Sequence, residues 1–174
     1  MKSQQRTLAL KRREALSIEE RLVKSNAIMD KLLPYLEKKK MIAIYMPLKE
    51  EVDISSLLFL YDSLGVPKVR NKDDMDFFLI HSALDVKEGI FNVLEPTTQV
   101  LIDPSEFEVI VVPIVAFDVN RNRIGYGKGY YDRYLKQTKA LKIGVAFDCQ
   151  SIDNIDCDEN DIPLDYIITE SKIY

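Results

Sequence analysis

The sequence predicts an α/β domain built on a largely parallel sheet, and three observations predict it. Short, almost wholly apolar runs recur at 41–45, 109–117 and 141–147, with the length and composition of strands buried on both faces. Segments of helical spacing lie between them, so strands and helices alternate along the chain. Half of the six glycines stand close together, at Gly125, Gly127 and Gly129, between the strongest strand signal and a helical segment.

Each element has its own grounds. Residues 2–15 read as a helix, and at roughly 100° per residue Lys2, Arg6 and Arg13 fall on nearly one face. Ser17-Ile-Glu-Glu20 is a capping box that opens a second helix. Leu22, Met29, Leu32, Leu33 and Leu36 keep helical spacing along it, and Lys38-Lys39-Lys40 suits its C-terminal end. The run at 41–45 is a buried strand, followed by a loop carrying Pro47 and Lys49-Glu50-Glu51. Residues 54–64 read as a helix stopped by Gly65, and 66–69 as the start of a strand. Phe77, Phe78, Leu79 and Ile80 suggest a strand over 76–82. Residues 84–104, with Gly89, Pro96 and Pro104, read as a long connection. Residues 108–117 give the strongest strand signal, and 130–139 a helix with Tyr131, Tyr134 and Leu135 toward one side. Strands at 141–147 and 166–168 complete the pattern. Ligands in such folds lie beyond the C-terminal ends of the strands, where both Glu51 and the glycine run stand.

The 174 residues are expected to form one domain, 1–174, long enough to bury a full core. A net charge of −4 argues against nucleic acid as the partner. No apolar run approaches the roughly 20 residues of a membrane span. The charged start and the two cysteines, Cys149 and Cys157, read as free thiols, point to the cytoplasm. A monomer is expected. Charge is unevenly spread: Lys2, Arg6, Lys11, Arg12 and Arg13 stand without an acid over 1–13, while Asp148, Asp153, Asp156, Asp158, Glu159, Asp161 and Asp165 make 148–165 acidic. Both ends can be solvated surface, or together a metal–nucleotide site.

Glycine lets backbone N–H groups turn toward an anion without a side chain in the way, and Lys128 puts a cation inside the run. The spacing Gly-x-Gly-x-Gly is neither the Walker pattern nor the dinucleotide fingerprint. By spacing alone it is a phosphate cradle or a tight strand-to-helix turn, and both readings stay open.

The wording around the glycines is more specific. Val-Pro-Ile-Val-Ala-Phe-Asp-Val-Asn-Arg-Asn-Arg-Ile-Gly-Tyr-Gly-Lys-Gly-Tyr-Tyr-Asp-Arg-Tyr-Leu, at 112–135, resembles the 5-formyltetrahydrofolate cyclo-ligase family. The likeness extends to the basic opening helix ahead of Leu16-Ser17, to residues 45–53, to Leu94-Glu-Pro96 and to Asn160-Asp-Ile-Pro-Leu-Asp165. One departure is visible: Asn120-Arg-Asn122 stands where the family often carries a glycine, and asparagine tolerates turns.

The resemblance implies a three-layer α/β/α sandwich with a mixed, largely parallel sheet. It implies an enzyme that uses ATP and Mg²⁺ to close 5-formyltetrahydrofolate into 5,10-methenyltetrahydrofolate. In family terms the formyl oxygen is phosphorylated, the neighbouring folate nitrogen attacks that carbon, and phosphate leaves. ATP is placed against Lys2 and Arg6 of the first helix and against Arg123, Gly125, Tyr126, Gly127, Lys128, Gly129, Tyr130 and Tyr131. Lys128 and Arg123 are assigned to stabilising charge on the transferring phosphoryl group. Met46, Glu51 and Tyr130 fall to the folate, and Asp132 and Asp161 to the metal, with Asp158, Glu159 and Asp165 in the same segment as alternatives to Asp161. On the residues alone Tyr131 and Tyr134 read as core. His81, the only histidine, is read as structural. Lys49 or Lys68 would suit an acidic folate tail. The competing readings are a non-catalytic nucleotide- or folate-binding protein of the same fold, and an interaction domain using the basic first helix.

Overall fold

A computed structural model describes residues 1–89 and 93–174. Its helices are α1 (Lys2–Glu14), α2 (Ile18–Leu36), α3 (Leu57–Leu60) and α4 (Tyr130–Leu135). Its strands are β1 (Ile42–Ala43), β2 (Leu64–Val69), β3 (Met75–Ile80), β4 (Val86–Glu88), β5 (Leu94–Pro96), β6 (Val109–Pro113), β7 (Ala116–Phe117), β8 (Arg123–Ile124), β9 (Leu141–Val145) and β10 (Tyr166–Ile168). Six strands form one sheet in the order β10-β9-β6-β1-β2-β3, with every neighbouring pair parallel except antiparallel β2–β3.

The apolar runs explain the layers. Successive side chains of a strand point to opposite faces, and here both faces are apolar. Ile42, Ile44, Val109, Val111, Ile143 and Val145 pack under α2 and α3, while Ala43, Ile110, Val112 and Ile167 pack on the other side with Tyr134 and Leu135 of α4. The result is the expected three-layer sandwich with a mixed sheet. Ser17 caps α2 through its capping box, and the seam of α2 that meets the sheet runs through Ser25, Ile28, Met29, Leu32 and Leu36. Leu22 has the right angle but remains 57% exposed, because the seam reaches the sheet only from Ser25 onward. No helix among the described residues is long and apolar enough to cross a membrane.

Tertiary pairing overrode local propensity in several places. The helix expected over 54–64 shrinks to α3, and Gly65 stops nothing: it lies inside β2, where it pairs with Ala43 and Leu79. A Cβ there would sit 2.5 Å from the ring of Phe107, so the sheet face at Gly65 is filled by that ring. The connection expected over 84–104 holds an antiparallel hairpin of β4 and β5, with residues 90–92 outside the described part. The long run at 108–117 divides into β6 and, past Pro113, β7, which turns away to form a two-stranded ribbon with β8. The helix expected over 130–139 is only Tyr130–Leu135.

The ribbon turn also differs. Its left-handed residue is Arg121, at φ 66°, rather than either asparagine. Buried Asp118 holds that turn: Oδ1 accepts from the Asn120 and Asn122 N–H groups, and Oδ2 from the Asn122 amide and from Ile155 N–H.

Chain order reverses between β1 and β6: β2 and β3 lie to one side of β1, β9 and β10 to the far side of β6. In an open α/β sheet that switch point leaves a crevice beyond the strand ends. The segment after β1 and the ribbon after β6 line it. Helix α1 crosses the ribbon, with Ala9 packed among Val115, Ala116, Ile124 and Ile155, and this places its basic face over the crevice.

Candidate active site

The crevice is a cavity of ≈ 1000 Å³. It is reached by α1, residues 45–51, the β2–β3 hairpin, the glycine loop, the start of α4 and residues 158–161.

One wall is charged. The Lys2 ammonium pairs with Asp158 at 3.2 Å and with Asp161. Partial burial lowers the lysine pKa, but hydrogen bonds and charge from the two acids outweigh it and leave the pKa raised. Arg6 Nε donates to the Gly125 carbonyl at 2.8 Å. Gly127 and Gly129 hold φ of 92° and 70°, a region that side chains disfavour. The Arg6 guanidinium lies over Gly127, where a Cβ would come within 3.2 Å of it. Arg123 is buried and bonds Asp132 at 2.9 Å, yet its Nε–H has no partner among the described residues. Burial lowers its pKa, and Asp132, Tyr131 and Asp161 raise it in turn, so both acids lie within electrical reach of this guanidinium. Lys128 is exposed, and among the described residues its ammonium has no ion pair.

The other wall is apolar, buried at its inner end and open at its rim. Tyr45 and Met46 follow β1 into the core, and Pro67, Val69, Met75 and Val93 face the cavity opposite. Glu51 is buried there; Oε2 accepts from Leu48 N–H at 2.9 Å and Oε1 from the Tyr126 hydroxyl at 3.1 Å. Burial raises the Glu51 pKa, opposed by the Leu48 N–H, by Arg13 and by Tyr126. Tyr126 is pushed up to about 12 by burial and by Glu51. Lys68 approaches Glu95 at 3.8 Å on the rim.

Every residue assigned from sequence to nucleotide, folate pterin, phosphoryl transfer or metal lines this one cavity, as does Lys68; Lys49 does not. Tyr130 lies at its edge, donating to the Asn71 carbonyl at 3.3 Å with Arg133 over its ring. Tyr131 belongs to both the cavity wall and the two cores, and burial raises its pKa well beyond the ordinary tyrosine range. His81 lies at the surface just past β3, with Nδ1 2.8 Å from the Asp62 carbonyl oxygen, away from the cavity. Both cysteines are free. Sequence reasoning gave no site role to Arg13, Lys136 or Asn160. Arg13 Nη2 donates to the Tyr126 hydroxyl at 2.7 Å, and Lys136 donates to Asn160 on the cavity wall. Only the one-face pattern of Lys2, Arg6 and Arg13 hinted at the first; nothing in local spacing signals the other two.

Asp132 and Asp161 face the same space. Each commits one oxygen to the protein, Asp132 Oδ1 to Arg123 and Asp161 Oδ2 to Lys2 and the Asp158 N–H. Each keeps its other oxygen without a partner among the described residues. Two carboxylate oxygens left free toward one space are donors of the kind Mg²⁺ takes, while among the described residues no three His, Cys, Asp or Glu stand close enough together to hold a metal ion by themselves.

A family model described as the 5-formyltetrahydrofolate cyclo-ligase family matches residues 1–170. A 5-formyltetrahydrofolate cyclo-ligase of Mycoplasma genitalium is 36% identical over 172 residues, covering 96% of each chain. An NMR structure of Aquifex aeolicus 5,10-methenyltetrahydrofolate synthetase superposes with a TM-score of 0.89 at 38% identity, over 99% of this chain and 91% of that one. The structure of a 5,10-methenyltetrahydrofolate synthetase from Mycoplasma pneumoniae does so with a TM-score of 0.80 at 30% identity, over 97% and 98%.

Proposed function

Since the chain belongs to the 5-formyltetrahydrofolate cyclo-ligase family, we propose that it closes 5-formyltetrahydrofolate to 5,10-methenyltetrahydrofolate, with ATP converted to ADP and phosphate. The observation that carries this reading is the convergence of four cations, Lys2, Arg6, Arg123 and Lys128, on one wall of a cavity whose other wall is apolar. A polyphosphate suits the first wall, and a flat heterocycle with one carboxylate partner suits the second.

Phosphoryl transfer is positioning plus charge neutralisation. The glycine loop supplies backbone N–H groups, and Lys2 and Arg6 hold the outer phosphates. Arg123 and Lys128 neutralise the charge that develops as the γ-phosphoryl group moves to the formyl oxygen and the bond to ADP breaks. The unpartnered Nε–H of Arg123 favours this role, because a buried donor without an acceptor carries a desolvation cost that a phosphate oxygen removes. The neighbouring folate nitrogen then forms its bond to the activated carbon and loses its proton to solvent or to the departing phosphate, and the carbon–oxygen bond breaks as phosphate leaves. Asp132 and Asp161 would hold Mg²⁺, which neutralises phosphate charge when bound. Glu51 accepts from the amino edge of the pterin, Met46 packs against it and Tyr130 borders it. Residues 1–174 act as one domain with α1 as part of the nucleotide site, and the protein works as a cytoplasmic monomer.

The test is direct. The protein is mixed with 5-formyltetrahydrofolate, Mg²⁺ and ATP, and the absorbance of the methenyl product is followed while each component is omitted in turn. A rise that needs all three is expected. No rise, with ATP still bound in a calorimeter, would leave a binding protein of the same fold.

A further inference from the structure

Arg13 is a cation buried at 3% exposure, and among the described residues no carboxylate lies within ion-pair distance of it. Glu51 is a carboxylate at 7% exposure, and among the described residues no cation lies against it. An uncompensated buried charge is costly. The two are joined through a third group: Arg13 Nη2 donates to the Tyr126 oxygen at 2.7 Å, and the same hydroxyl donates to Glu51 Oε1 at 3.1 Å. A phenol that accepts from a cation is a stronger donor to an anion, because each bond polarises the other.

Tyr126 also has a place that makes this chain of bonds informative. It stands between Gly125, whose carbonyl Arg6 holds, and Gly127, which the Arg6 guanidinium covers. Its backbone therefore belongs to the nucleotide wall while its hydroxyl belongs to the folate wall. Any shift of the glycine loop around a phosphate moves the one hydroxyl that links Arg13 to Glu51.

We propose that Arg13 is a positioning residue for Glu51, acting through the Tyr126 hydroxyl, and that this relay couples the nucleotide and folate subsites so that each ligand binds more tightly beside the other. The proposal rests on the functional reading above. Linkage requires the effect to be reciprocal in binding.

The test is a double-mutant cycle on affinity. 5-Formyltetrahydrofolate is titrated calorimetrically into the wild-type chain, Tyr126→Phe, Arg13→Gln and the double variant, with and without a non-hydrolysable ATP analogue and Mg²⁺. The wild type should bind folate more tightly when the analogue is present. Each single variant should lose about tenfold in folate affinity, the size of a lost hydrogen bond to a charged group. The double variant should lose no more than either single one. In Tyr126→Phe, which keeps the ring and removes only the hydroxyl, the tightening by nucleotide should disappear. Arg13→Lys should recover part of the loss, which a purely packing role for Arg13 would not produce. Additive losses, unchanged folate affinity or absence of coupling in the wild type would overturn the relay. Should Arg13→Gln fail to fold, the loss of coupling in Tyr126→Phe decides alone. A wild-type chain that binds no folate at all would sink the functional reading itself. A chain that binds and turns over folate while its variants keep the coupling would sink only the relay.

Discussion

The two walls of the cavity are held by different physics. The charged wall is assembled from α1, the glycine loop and residues 158–161, and its ties span most of the chain: Lys2 to Asp161, Arg6 to Gly125. Those ties are ionic or charge-assisted and reach solvent. The apolar wall grows from β1 and β2 and is continuous with the core through Ile44, Tyr45 and Met46. Substitution of the exposed cations on the first wall should therefore cost little stability, and substitution in the core under the second should cost more. Chemistry that needs mobile cations belongs on the first, and shape recognition on the second.

Lys128→Ala gives the largest expected contrast. Turnover should fall by about 10²–10³, the usual loss for one group that stabilises developing charge, while melting stays at the wild-type temperature. Comparable losses in kcat and in thermal stability would break the distinction between the walls. Ile44→Ala, at a fully buried position under the apolar wall, should cost about 2–5 kcal/mol in denaturant unfolding. A smaller effect follows at Gly65→Ala, where the new methyl meets the Phe107 ring; about 1–3 kcal/mol of destabilisation is expected from overpacking, read by chemical denaturation. Lys2→Ala should cost no more than about 1 kcal/mol of stability, since its partners are part-exposed. Its effect should appear instead as a raised KM for ATP, with a weaker dependence of that KM on salt than in the wild type.

The smallest effect sharpens the comparison at its seam. Burial raises the folded-state pKa of Glu51 above the ordinary value of 4.5. The folded chain thus binds a proton more readily than the unfolded chain there, so this group's contribution to stability falls as pH rises from that value through the folded one. Glu51→Gln removes the dependence. The melting temperature of the variant relative to wild type should climb with pH over that window and then level off. A flat difference would show that the carboxylate titrates as it does in the unfolded chain.

Much of this was legible in the sequence, and the reasons are particular. The two-sided burial of 109–112 followed from a run with no polar residue in it, and Ser17 with Glu20 wrote the start of α2 in four residues. The grouping of Lys2, Arg6 and Arg13 needed only the helical angle. Gly65 misled because a glycine after an apolar stretch is also a helix stop; nothing local announces that a phenylalanine 42 residues later fills the space above it. Leu22 misled because periodicity gives direction, while exposure depends on where the sheet ends. The hairpin of β4 and β5 was hidden because short antiparallel pairs owe their stability to each other more than to their composition.

Which residues carry charge and which runs must be buried follow from side-chain chemistry along the chain, whereas which two of the three clustered glycines take positive φ, Gly127 and Gly129, was settled by the fold. The folded sheet set the switch point between β1 and β6 that brings residues 2, 51, 126 and 161 to one cavity. It also decided that Tyr126 would reach across to Glu51 rather than stay with the charged wall. Hydrogen bonds and ion pairs form between groups that are close in space, and proximity between residues 75 positions apart is set by strand order, not by any pattern along the chain.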